Sequence, residues 1–177
     1  MCNNTKQRIA DAVEELICTQ PGGKITVQQI MELTQMNRQS FYYHYQDIFD
    51  VLQRIIDRKF CRPLAFDPGE APQTWCRRAL TLLRENRVLA QRISRELGNE
   101  RVYALVLPTM WPQADRLIPL RPGQDPAERK MAVDAICHCV LCSVSELIVQ
   151  QQSFDVEKTL ESLRAVFAVL GVPTEGR

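Results

Sequence analysis

The sequence predicts an all-α protein in two parts, and two stretches carry that reading. Lys24 to Leu52, KITVQQIMELTQMNRQSFYYHYQDIFDVL, reads as a short helix, a tight turn, a second short helix and then a third. Residues 127–151 and 156–170 read as two long helices, the first of them apolar almost all round. The expectation is an N-terminal helix-turn-helix domain over 1–60 and a C-terminal helical bundle over 61–177.

The chain opens with MCNNTKQRIADAVEEL, which has no signal-peptide core. It reads instead as an amphipathic helix with Ile9, Val13, Leu16 and Ile17 inward, ending before Pro21-Gly22-Gly23. Thr26 with Gln29 three places on forms a capping box, so a helix starts there, with Val27, Ile30, Met31 and Leu33 on its buried face. The pattern breaks at Thr34-Gln35-Met36, and Asn37 is suited to cap a new helix, RQSFYYHY. At about 100° per residue, Phe41 and Tyr45 share a face and enter the core. Gln39 and Tyr43 point away from it, with Ser40 and Tyr42 on the flanks, while His44 falls near the core side. Arg and Gln are the side chains that read guanine and adenine edges, and Tyr and Ser hydroxyls bind phosphates. A helix with this outer face suits the DNA major groove. Asp47 caps the following helix, in which Ile48, Leu52, Ile55 and Ile56 recur at helical spacing.

With SFYYHYQDIFDVL following a Thr-capped short helix about 40 residues from the start, the chain resembles the tetracycline-repressor-like (TetR) family of one-component regulators. The resemblance covers residues 5–56; beyond them only the general plan of an all-helical second domain agrees. It implies that Arg38, Gln39 and Ser40 meet DNA bases, and that Thr26, Tyr42, Tyr43 and His44 meet phosphates. It also implies that the last two long helices pair two copies and that the middle helices hold an effector pocket. Two departures stand out. Gln35 occupies a turn position that usually carries Gly, so a left-handed backbone there costs about 1 kcal/mol. Ile48 stands where the next helix usually offers a Lys to the DNA backbone.

Pro63 to Pro72, PLAFDPGEAP, is a breaker-rich link. Helical patterns follow over 73–85 and 87–97, the latter closed by Gly98, and over 99–118, where Pro108 and Pro112 predict a kink or break. Residues 119–126 read as a loop. Between Asp134 and Glu146 the first long helix carries no acidic or strongly basic residue, so it must be buried on more than one side. Asp155 caps the second and Gly171 stops it, and its Val156, Leu160, Leu163, Phe167 and Leu170 form a packing seam. Two such helices look like half of a four-helix bundle completed by a second copy, with Val144, Ile148, Leu160, Leu163 and Phe167 at the homodimer interface. The family plan makes Trp75, Leu82, Tyr103, Leu107, Met110, Trp111 and His138 the candidates for a small-molecule effector pocket, although such side chains also simply fill cores.

Composition bounds the rest. Apolar residues make up 45% and charged residues 24%, ordinary for a globular protein, and the net charge is +1. Residues 1–60 carry seven basic against seven acidic side chains, so non-specific attraction to DNA by bulk charge should be weak. No apolar run approaches the ~18 residues of a membrane span. Seven cysteines without framework spacing point to free thiols in a reducing cytoplasm. Cys137-His138-Cys139 with Cys142 has the composition of a metal site, but one continuous helix cannot wrap four ligands round one ion. No catalytic order of residues, metal motif or phosphate loop stands out, so the expectation is neither an enzyme nor a cofactor protein. The partners expected are a double-stranded operator and a second copy. Two rival classes remain: a thiol- or metal-responsive regulator using the Cys137–Cys142 cluster, and an adaptor whose second domain binds a protein.

Overall fold

A computed structural model describes residues 2–20, 22–117, 123, 125–149 and 155–169, and the described residues fold as an all-α protein with no strand. The N-terminal helices are α1 (Cys2–Thr19), α2 (Val27–Thr34), α3 (Arg38–His44) and α4 (Ile48–Ile56). Their starts follow the capping chemistry of the sequence. Thr26 Oγ1 accepts from the Gln29 amide while the Thr26 amide donates to Gln29 Oε1 at 2.9 Å, which closes the capping box. Asn37 Oδ1 accepts from the Ser40 amide at 2.8 Å, and Asp47 Oδ1 from the Asp50 amide at 3.0 Å. Each such cap stabilises its helix by about 1 kcal/mol.

Between α2 and α3 the chain reverses through Gln35, which holds φ 55° and ψ 34°. It is the non-glycine residue of positive φ among those described, and its side chain donates back to the Glu32 carbonyl at 2.8 Å. Arg8 of α1 donates to the Thr34 carbonyl at 2.9 Å and so holds the end of α2 beside the turn. Ile9, Val13, Ile30, Phe41, Val51, Leu52 and Ile55 close the core beneath, all fully buried.

After α4 the helical path does not stop. Asp57–Cys61 form a π-helical turn and Arg62–Leu64 a 3-10 turn, so the link shortens to residues 65–71. Arg58 binds Asp11 at 2.8 Å and also pairs with Glu14, while Lys59 binds Glu14 at 2.9 Å, tying this turn to α1. Helices α5 (Pro72–Glu85), α6 (Arg87–Leu97), α7 (Asn99–Leu117), α8 (Pro126–Val149) and α9 (Val156–Val169) complete the described fold. Leu89, Ile93 and Leu97 of α6 join the N-terminal core directly, with Val102, Leu105 and Val106 of α7 packed on it. The core thus continues across residue 60, where a division of the chain was expected.

Helix α7 is not broken at its prolines. Pro108 and Pro112 lie four residues apart, hence on one face, and each removes a donor to the carbonyl four residues back. Those carbonyls belong to Ala104 and Pro108, both exposed residues, so solvent can satisfy them. Helix α8 packs on α7 through Val133 and Cys137, and α9 packs on α5. Asp155 caps α9, its Oδ1 accepting from the amides of Glu157 and Lys158. The expected stop at Gly171 lies outside the described residues.

Candidate DNA-reading face and cavity

Helix α3 divides into two faces. Phe41 is fully buried and touches Tyr45 at a ring separation of 6.0 Å, while the Tyr45 hydroxyl donates to the Lys6 carbonyl of α1 at 3.1 Å. Burial pushes the Tyr45 hydroxyl above its usual pKa, which keeps it a neutral donor to that carbonyl. The helix is therefore pinned from beneath by an aromatic wedge and from its end by a hydrogen bond. On the other face Tyr43 is 79% exposed and Tyr42 56%. Burying large aromatic surface is worth several kcal/mol, so leaving two Tyr side chains in solvent next to a fully buried Phe needs an explanation beyond packing.

Arg38 and Gln39 are also exposed and Ser40 is half-buried, all in the first turn of α3. Ser40 gives its backbone amide to the Asn37 cap, which does not engage its hydroxyl. His44 is half-buried and meets Tyr43 edge to face at 4.9 Å. Thr26 is exposed at the start of α2, but its hydroxyl is engaged in the capping box with Gln29. Ile48 packs against the core, and Phe49 beside it is exposed beneath the Arg101 guanidinium at 5.3 Å.

The charge balance of this part is local as well as global. Asp11 and Glu14 are held by Arg58 and Lys59, and Asp47 and Asp50 are used in capping α4. Asp11 is exposed while Glu14, Arg58 and Lys59 are half-buried, and the chief effect of these pairs is to neutralise charge locally.

A cavity of about 150 Å³ lies between α5, α6, α7, α8 and α9 and the end of α4 with the turns that follow it. Trp75, Tyr103 and Met110, three of the residues named from the sequence, line it. Leu82, Leu107, Trp111 and His138 do not. Leu107 and Trp111 pack instead against Val133 and Cys137. Leu83, one helical step from Leu82, is the α5 leucine at the wall, and His138 is exposed with its ring 6.4 Å from Tyr103. Ile56, Phe60 and Leu64 also line the cavity, though sequence reading placed Ile56 and Phe60 in the N-terminal domain and Leu64 in the link. Trp75 donates its indole proton to the Leu64 carbonyl at 2.9 Å, a tie that joins α5 to the 3-10 turn.

The residues expected to pair two copies divide in the same way. Leu160 and Leu163 are buried within the chain, in a cluster with Leu80 of α5 that Val144 of α8 packs against. The chain's own α5 therefore covers the seam assigned to a second copy. The side chains of Ile148 and Phe167 lie outside the described residues. The outward face of α8 carries Met131, 72% exposed, with Ala135, Cys139 and Cys142 also exposed.

The cysteine-histidine cluster does not converge. Cys137 faces inward while Cys139, Cys142 and His138 face out, and among the described residues no group of three or more His, Cys, Asp or Glu is placed to hold a metal ion. Burial pushes the Cys137 thiol up to about 11, with Asp134 adding to the shift, and burial likewise pushes Cys76 up to about 11 beside Glu70. Both are thus protonated and poorly nucleophilic at neutral pH. Around Asp134 a small polar network forms, with Lys130 donating at 2.6 Å and the Trp111 indole at 3.0 Å; these donors hold the carboxyl below its usual range. No described helix is long and apolar enough to cross a membrane.

No family model matches the chain, and no curated protein matches its sequence. Its structure is similar to a solved one described as the dihydroxyacetone kinase operon activator DhaS, with a TM-score of 0.64 and 18% identity over 94% of this chain and 95% of that one. At that identity the likeness establishes a shared all-α fold along nearly the whole of both chains.

Proposed function

We propose that the chain is a sequence-specific, ligand-responsive transcriptional regulator of the tetracycline-repressor-like kind, acting as a homodimer on double-stranded DNA. The observation that carries this reading is the outer face of α3. Two solvent-exposed tyrosines, an arginine and a glutamine are mounted on a helix whose inner face is fully buried. Arg38, Gln39 and Ser40 read base edges, and Tyr42, Tyr43 and His44 meet phosphates. Thr26 meets a phosphate too, through whatever capacity its hydroxyl retains beside Gln29. Residues 1–60 form the reading head and the remainder carries effector and partner.

A homodimer suits this role because two heads reach half-sites about 34–36 Å apart. The outward face of α8 supports pairing. Met131, Ala135, Cys139 and Cys142 are exposed on a helix without a charge between Asp134 and Glu146, a stretch that water solvates poorly. The cavity supports ligand response, since its walls include Ile56, Phe60 and Leu64, continuous with α4 of the head. An occupant that favours one arrangement of these turns changes the spacing of the two heads.

DhaS is described as an activator. A bound dimer acts in either direction according to where its operator lies, and we take repression as the working reading. Selection of random double-stranded DNA on the purified chain tests the proposal. It should enrich a two-fold symmetric site with half-sites about one helical turn apart. Enrichment of no sequence above a chain carrying Arg38→Ala and Gln39→Ala together would overturn it.

A further inference from the structure

We infer that the cavity takes a small uncharged ring compound bearing one hydrogen-bond donor, with the size and chemistry of a phenol, and that the donor meets the Tyr103 hydroxyl oxygen. This deepens the ligand-responsive reading above and rests on it for its biological purpose, though not for its chemistry.

Size comes first. A cavity of about 150 Å³ accommodates about one six-membered aromatic ring. The walls come second. Their side chains are aliphatic, aromatic, thiol or hydroxyl, and among the described residues no Lys, Arg, His, Asp or Glu lines them. An ion entering there would lose its water without gaining a counter-ion, so a charged ligand is excluded.

The third observation is the direction of a hydrogen-bond chain. The Tyr103 hydroxyl donates to Ser145 Oγ at 2.8 Å, with the Leu141 carbonyl at 3.3 Å as a second acceptor. The Ser145 hydroxyl in turn donates to the Cys142 carbonyl at 2.9 Å. Each hydroxyl has one proton, and both protons are committed along the sequence Tyr103 to Ser145 to Cys142. Burial raises the Tyr103 pKa, so the phenol keeps its proton. What Tyr103 retains is lone-pair capacity. Tyr103, Leu141 and Ser145 all line the cavity, as do the hydroxyl-bearing Ser94 and Thr109, and the polar spot at Tyr103 asks for a donor and not an acceptor.

The test titrates phenol, toluene and benzoate into the chain and into its Tyr103→Phe variant, read by calorimetry and by the emission of Trp75 in the cavity wall. Phenol and toluene should bind, and benzoate should not at concentrations that saturate with phenol. Tyr103→Phe should weaken phenol roughly tenfold and leave toluene within about twofold. Comparing each probe across the two proteins cancels the probes' different hydrophobicity. Ala79→Leu, which narrows the cavity from α5 without touching the hydrogen-bond chain, should weaken both neutral probes together. Equal losses for phenol and toluene in Tyr103→Phe, benzoate binding as tight as phenol, indifference of both neutral probes to Ala79→Leu, or binding of neither would each overturn the inference. Failure of the regulator reading is separable: a chain that binds phenol but selects no DNA sequence keeps the ligand class and loses the function.

Discussion

The two ends of this molecule bury their residues very differently. In α4, nine residues long, Val51, Leu52, Ile55 and Ile56 are buried. In α8, 24 residues long, Val133 and Cys137 are the ones described as buried, although the helix is apolar nearly all round. The head is a dense core wrapped by polar side chains. The body holds smaller buried clusters, with a cavity on one side of α8 and solvent on the other. The head can hold a reading helix in one place because its core admits little rearrangement. The body has a cavity inside and exposed Met131, Ala135, Cys139 and Cys142 on α8 outside, and these are the places the proposal gives to a small molecule and a second copy.

The sharpest way to break this contrast is to remove a wedge from each region. Phe41→Ala should cost about 3–5 kcal/mol, because Phe41 is fully buried among α1, α2 and α4 and nothing nearby can fill its space. Leu83→Ala should cost about 2 kcal/mol or less, because part of that side chain already faces the cavity. Urea denaturation of the two variants measures both. Equal losses would mean that the body is packed as tightly as the head.

The second prediction separates the two faces of the last helices. Leu163→Glu puts a charge against Leu80 inside one chain and should destabilise the fold by about 3–5 kcal/mol at any concentration. Ala135→Glu places its charge on the exposed face of α8 and should leave the monomer's melting unchanged while lowering the dimer fraction. Sedimentation at several micromolar concentrations checks both. A folded Leu163→Glu monomer would return that residue to the interface between copies, and an Ala135→Glu dimer would clear the α8 face of any role in pairing.

The head was legible in the sequence because its signals are local. Thr26 with Gln29, Asn37 with Ser40, and Asp47 with Asp50 are capping pairs three residues apart, and the alternation of Phe41 and Tyr45 with Gln39 and Tyr43 fixes which face of α3 turns out. The left-handed turn at Gln35 was expected only through the resemblance, in which that turn position usually carries Gly. The body was legible only as a list of helices. Leu82 and Leu83 are alike as sequence, and only the docking of α5 decides which meets the cavity. The seam of Leu160 and Leu163 is a true packing seam, but periodicity does not say whether a partner copy or α5 fills it. The bond from Tyr103 to Ser145 spans 42 positions and has no local signal at all. The continuation of α4 to Leu64 was hidden because Pro63 reads as a breaker, whereas Pro is tolerated in the first turn of a short helix such as Arg62–Leu64.

A smaller effect sharpens the head's side of the contrast. Gln39→Ala removes an exposed side chain from the first turn of α3 and should leave stability unchanged within about 0.5 kcal/mol. If Gln39 makes a bidentate base contact, the variant should lose about 1–3 kcal/mol of preference at one base position. Competition binding with single-base operator variants measures that preference. A uniform loss across every variant would make Gln39 a backbone contact.

The smallest expected effect belongs to Tyr43, and it tests the proposed grip on DNA by a head without net charge. Tyr43→Phe keeps the exposed ring and its edge contact with His44 and deletes only a hydroxyl. One hydrogen bond to a phosphate is worth about 1 kcal/mol net, so affinity should fall about fivefold, equally on operator and on scrambled DNA. The salt dependence of binding should be shallow in the wild type, because Asp11 and Glu14 cancel Arg58 and Lys59 and few lysines or arginines remain to displace counter-ions. It should be no shallower in the variant, since a neutral hydroxyl releases no counter-ion. Titrations across a range of salt concentrations give both numbers. A steep wild-type slope would show that Lys6, Arg8, Lys24 and Arg38 act together as a basic surface, and affinity would then rest on charge, with the tyrosines serving only to set the register of the helix in its groove.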